Sequence, residues 1–104
     1  MPSPLVLVYD AEAPGCRRLA DWVARRDRDG LIVPFPAQNG EVARIAPELA
    51  GKVGPGVLLV LDSGTRRVSA GAGATRELLK RLPGWALVAA LGAAPLVHRF
   101  LVRD

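Results

Sequence analysis

The chain has one cysteine, one histidine and few aromatic residues, the last making up only 5% of its 104 residues. Each shortage excludes something. With Cys16 alone there can be no internal disulfide, so a disulfide-stapled secreted scaffold is excluded, and so is a cysteine-rich zinc site. No metal and no cofactor is expected. Aromatic residues are not interleaved with the basic ones, as single-strand nucleic-acid binders require. Nucleic acid is therefore a disfavoured partner. No apolar run reaches the roughly 18 residues of a spanning helix. The longest, from Trp85 to Val97, is shorter and holds Gly92 and Pro95. The first residues, Met1-Pro2-Ser3-Pro4, carry no basic side chain, and the apolar run behind them ends at Val8. This is not the pattern of a signal peptide. The expectation is a protein of the cytoplasm with no membrane span.

What is present is a core. Half the residues are hydrophobic, enough for one domain over 1–104 that buries its own interior. The expected division is a core over 1–83 and a helical tail over 84–104. The formal charge is +4, and twelve of the fourteen basic residues are arginine. A basic surface can serve nucleic acid or anionic lipid. The ordinary reading is a solvated arginine-rich exterior.

Hydrophobic periodicity orders the chain. Leu5-Val6-Leu7-Val8-Tyr9 is continuously apolar, as in a strand buried on both faces. Asp10 to Ala13 turn the chain. Pro14 suits a first helical position, where its missing N–H is no loss, and a helix is expected from Pro14 to about Arg28. Arg17, Asp21 and Arg25 are spaced as an i, i+4 ladder on it. Leu31 to Phe35 reads as a second strand. Pro34 assigns it to an edge position or to a strand end, because proline donates no ladder hydrogen bond. A helix over 40–50 should be kinked or shortened at Pro47. Val57 to Leu61 is the strongest buried strand, and Asp62 to Thr65 is a hairpin loop leading to a strand over 66–70. A helix is expected from Ala74 to Leu82, with Leu78, Leu79 and Leu82 inward. Two short apolar helices, 85–91 and 95–102, complete the tail, which would pack on the domain or form a homodimer contact. The order β-α-β-α-β-β-α implies an α/β fold: a βαβ unit and a ββα unit around a mixed sheet.

The stretch Tyr9-Asp10-Ala11-Glu12-Ala13-Pro14-Gly15-Cys16-Arg17 carries a resemblance. It is similar to the motif of the DCC family of thiol–disulfide oxidoreductases, whose members typically read Tyr-Asp-Gly-Asp-Cys-Pro-x-Cys. The likeness extends to Trp22, to Arg25-Arg26-Asp27-Arg28 and to the Val57–Leu61 strand with Asp62-Ser63-Gly64. It implies a thioredoxin-like fold and a dithiol active site. Three positions depart: Ala11 for glycine, Glu12 for aspartate and Ala13 for the first cysteine. That cysteine occupies a helix N-cap, where backbone N–H groups and the helix dipole stabilise a thiolate. The thiolate attacks a disulfide and the second cysteine resolves the product. With Ala13 at the cap the attacking sulfur is missing.

Two readings of Cys16 follow. In the heavier, it is an inert core residue one turn inside the helix. In the other, it is a lone catalytic thiol, peroxidase-like or glutathione-linked. Peroxiredoxins, on the same fold, use the second cysteine position, but they place a threonine where Ala13 stands here. Gly54-Pro55-Gly56 resembles the loop that carries the thioredoxin-like cis-proline, beside the groove for an extended peptide or protein thiol. It is also an ordinary turn. Asp10, at the C-terminal end of the first strand, is either a proton acceptor for cysteine chemistry or a cap on the following turn. A Cys16–His98 dyad is a minor alternative. The serines lack a nucleophile elbow, and no phosphate loop is present. The functional expectation is a degenerate family member, a binding or scaffold domain. Its alternatives are a single-thiol enzyme and a basic protein that contacts nucleic acid or lipid.

Overall fold

The computed structural model describes residues 3–49 and 51–85, and beyond them Gly92, Leu96, His98 and Arg99. Its elements run β1 (Leu5–Tyr9), α1 (Pro14–Arg26), β2 (Ile32–Pro36), α2 (Val42–Ile45), a 3₁₀ turn (Pro47–Leu49), β3 (Leu58–Asp62), β4 (Val68–Ala70) and α3 (Gly71–Arg81). The four strands form one mixed sheet in the order β2-β1-β3-β4. β2 runs parallel to β1, whereas β3 is antiparallel to both β1 and β4. This is the thioredoxin-like arrangement. The two tail helices expected over 85–102 lie largely outside the described residues.

Strand alternation decides which layer each residue joins. Leu5, Leu7, Leu58 and Val60 point to one face and pack with Leu19, Ala20 and Val23 of α1 and Ala74, Leu78 and Leu79 of α3. Val8, Leu59 and Leu61 point to the other and pack with Val42, Ala46 and Leu49. Both faces are covered, which is why β1 and β3 read as unbroken apolar runs. β2 is an edge strand, as Pro34 requires.

The boundaries shift for local reasons. α1 stops at Arg26 rather than Arg28. The Asp27 carboxylate accepts the backbone N–H groups of Leu31 and Ile32, each at 2.9 Å, and turns the chain into β2. The Arg26 guanidinium folds back over the Trp22 ring, 4.2 Å from its centroid, and donates to the Trp22 carbonyl. The Arg17–Asp21–Arg25 ladder closes no ion pair. α2 ends before Pro47, whose ring cannot continue a helix, and the chain proceeds as a 3₁₀ turn. α3 begins three residues before Ala74. Ala70 is still extended, and Gly71, at φ +57°, swings the chain straight from strand to helix. Few residues other than glycine adopt that angle.

Candidate functional site

The site lies at the C-terminal end of β1, where two connections meet. One runs from β1 into α1; the other leads from the 3₁₀ turn into β3. In open α/β sheets this is the end at which ligands bind.

α1 starts at Ala13, which has extended N-cap geometry (φ −93°, ψ 115°) and no side-chain hydrogen bond to the helix. Its carbonyl accepts the first helical bond, from Arg17 N–H at 3.1 Å. Pro14 occupies the first turn, as predicted. The helix N-terminus is therefore shaped for a capping side chain and carries none. Ala13 is half-buried, so a larger side chain there would reach solvent.

Cys16 lies one turn further in and is 1% exposed. Its S–H approaches the backbone oxygens of Gly56 at 3.5 Å and Val57 at 3.8 Å. The thiol hydrogen is directed at the chain entering β3, and the sulfur is packed like a small hydrophobe.

Asp10 is buried and fully engaged. Its Oδ2 accepts the Gly56 N–H at 2.7 Å. Its Oδ1 accepts the Glu12 N–H at 2.9 Å and the Gln38 side-chain amide at 2.9 Å. The Gly56 bond, then those of Gln38 and Glu12, hold the carboxyl below the usual carboxylate range against the opposing effect of burial. Asp10 does cap the turn after β1, and it also ties that turn to the loops before α2 and β3. Gly56 is bracketed: its N–H goes to Asp10 and its carbonyl takes the Cys16 thiol.

The linkage has a definite sign. A carboxylate depressed in the folded protein contributes stability above its unfolded value of about 3.9, lost as pH falls through the lower folded value. Asp10→Asn replaces an acceptor oxygen with a donor beside N–H groups. It should lower the urea midpoint at neutral pH, and the gap from wild type should narrow between roughly pH 4 and 2. Asp62 and Glu48, also depressed, by bonds from Ser3 and Arg66 respectively, maintain the remaining acid limb. Parallel midpoint-versus-pH curves would refute this assignment.

The Gly54–Pro55 bond is trans, as is every peptide bond among the described residues. Pro55 and Gly54 line a cavity of about 240 Å³ with Asp10, Glu12, Gln38 and Val53. The structure thus gathers Asp10, Gly54 and Pro55 round one hollow. The Cys16 thiol reaches the carbonyls of the two residues after Pro55. His98 is bonded through Nδ1 to Thr75 Oγ1 at 2.8 Å. Sequence reasoning missed Gln38 and, within the Gly54-Pro55-Gly56 loop it did single out, the backbone role of Gly56. Gln38 follows a strand with no distinguishing pattern, and Gly56 acts through its backbone, which leaves no sequence signal beyond the turn itself. No group of three or more metal-ligating side chains occurs among the described residues. No helix among them is long and apolar enough to cross a membrane.

The sequence model of the DCC1-like thiol-disulfide oxidoreductase family matches residues 7–103. No curated protein and no solved structure matches this chain.

Proposed function

We propose that this chain, which belongs to the DCC1-like thiol-disulfide oxidoreductase family, is a non-catalytic member that retains the fold as a binding or scaffold domain. One observation carries the reading. The N-cap of α1, where the attacking sulfur of a dithiol would stand, is Ala13, and the one remaining thiol is shielded in the core. Thiol–disulfide exchange requires an accessible thiolate to open the substrate disulfide and a second thiol to release the product. The proposed partner is an extended peptide or protein thiol at the hollow of Asp10, Gly54 and Pro55. In its favour are two exposed residues, Pro55 and Gly56, beside a pocket with both polar and apolar walls. The reading places the protein in the cytoplasm, where a chain with no internal disulfide is at no disadvantage.

The test is the alkylation of Cys16 by iodoacetamide. The rate in native buffer should be at least about 100-fold below that in urea, because reaction awaits local opening. Reduction of a small disulfide or a peroxide should not exceed that of a Cys16→Ser variant. Fast native alkylation, with turnover that the Cys16→Ser change removes, would instead establish the single-thiol enzyme.

A further inference from the structure

The two outer edges of the sheet differ in what they offer to another strand. β2 forms one of them. The Leu5 N–H donates to the Leu31 carbonyl and the Ala37 N–H to the Tyr9 carbonyl, each at 2.7 Å. Every second residue of a parallel strand bonds its neighbour, so Val33 and Phe35 face β1, while Ile32, Pro34 and Pro36 present their backbone outward. The two prolines have no N–H, and Ile32 gives its own to the Asp27 carboxylate at 2.9 Å. The β2 edge has no donor left and cannot complete a second ladder. Proline is one of the devices by which proteins blunt an edge.

β4 forms the other edge and is open. Its register with β3 pairs Leu61 with Val68, Val60 with Ser69 and Leu59 with Ala70. The Asp62 N–H donates to the Arg67 carbonyl at 2.9 Å. Hydrogen-bonded pairs alternate along an antiparallel ladder, so Ser69 is the next residue to exchange bonds with β3, and Val68 and Ala70 turn their backbone outward. Ala70 is also the N-cap of α3, and an N-cap carbonyl accepts the first helical bond. The Val68 N–H and C=O and the Ala70 N–H remain. Among the described residues none bonds to these three groups.

The free charge beside this edge is positive. Arg67 immediately precedes β4, is exposed and forms no ion pair among the described residues. Carboxylates of β3, the 3₁₀ turn and α3 are already engaged: Asp62 by Arg81, Glu48 by Arg66 and Glu77 by Lys80. A second copy of the chain would bring its own Arg67 and its own net charge of +4 to the edge. A three-residue strand also covers far less than the roughly 1,200 Å² that a stable dimer buries. Both points favour a short segment of opposite charge.

We propose that the β4 edge accepts a short acidic segment of a partner protein as a fifth strand. In an antiparallel arrangement the residue opposite Val68 would exchange two hydrogen bonds with it, and the residue opposite Ala70 would accept its N–H. A carboxylate opposite Arg67 would form a cross-strand ion pair. Main-chain bonds would supply the affinity and the Arg67 pair the selectivity. β4 contributes nothing to the hollow of Asp10, Gly54 and Pro55, and the inference does not rest on the peptide reading of that hollow.

The probe is the capped peptide Thr-Val-Thr-Val-Glu-Glu, titrated into the full chain and followed by backbone amide signals. Val68 and Ala70 should shift saturably, with a Kd on the order of millimolar, while Ile32, already bonded to Asp27, stays in place. Methylation of the second valine's nitrogen, the donor to the Val68 carbonyl, should weaken binding roughly tenfold. Lysine in place of both glutamates should weaken it about fivefold. Arg67→Glu, a change at an exposed side chain, should reverse that preference, so that the lysine peptide binds better. The proposal is overturned if Val68 and Ala70 do not shift, if the methylated peptide binds as well as its parent, or if Arg67→Glu leaves the preference for glutamate intact. It is also overturned if the chain alone forms a dimer in which the Val68 and Ala70 amides are protected from exchange, which would give the edge to a second copy.

Discussion

An Ala13→Cys variant is expected to reduce disulfides. In an insulin reduction assay with dithiothreitol as electron source, turnover should exceed that of the unaltered chain by on the order of 100-fold or more. The backbone is already arranged for it. Residue 13 has N-cap geometry, is half-exposed and stands at the head of a 13-residue helix. A sulfur there stands at the positive end of the helix dipole, the setting that favours a thiolate. Positions 13 and 16 are separated by two residues, the Cys-x-x-Cys spacing of redox dithiols at a helix N-terminus. The introduced thiolate would attack the substrate sulfur and release one substrate thiol. Cys16 would then displace the second, leaving an internal disulfide for dithiothreitol to reduce.

Ala13→Ser is the matched control. It supplies a cap without sulfur and should raise stability by about 1 kcal/mol with no gain in turnover. If both variants fold and both are inactive, the register that aligns Ala13 with the lost nucleophile is wrong. Restoration by Ala13→Cys would show that the family chemistry was lost at one side chain and the framework was kept. Activity that persists in a doubly substituted Ala13→Cys, Cys16→Ser protein would show that the second thiol is not needed for resolution.

The residues that made the fold legible are those whose side chains meet only one kind of neighbour. Leu5 to Val8 and Leu58 to Leu61 are buried on both faces, so their apolar runs announced central strands. Pro34 fixed an edge because it lacks a donor. Pro47 divided a helix for the same reason. The boundaries that shifted depend on side-chain-to-backbone bonds that no periodicity reveals, as with Asp27 and the N–H groups of Leu31 and Ile32. The site was legible where chemistry is carried by residue type: Asp10, Ala13, Pro14 and Cys16 lie in one strand-to-helix connection. It was not legible where the backbone is the partner. The link between Asp10 and Cys16 passes through the N–H and carbonyl of Gly56, 46 and 40 residues away in sequence.

Leu19→Ala should weaken the protein more than any change at the site surface, and should expose Cys16 in doing so. α1 has 13 residues, no side-chain cap and no acidic residue in its first turn. A helix of that length is marginal alone, so packing on the sheet must hold it. Leu19 is fully buried against the layer of Leu7, Val60 and Leu78. Its truncation should cost about 2–5 kcal/mol, a large share of the 5–15 kcal/mol typical of a domain. Urea unfolding measures that loss as a lower midpoint at an unchanged slope. Cys16 lies three residues earlier on the same helix, and its shielding has the same origin. If its alkylation requires α1 to leave the sheet, a loss of 2 kcal/mol should speed the native-state reaction by roughly 30-fold. The two measurements must therefore move together. A lower midpoint with unchanged alkylation would mean that Cys16 is reached by a local opening independent of α1. In that case the opening that reaches Cys16 would lie outside α1, and the Gly56–Val57 segment, whose carbonyls face the thiol, is the first place to look for it.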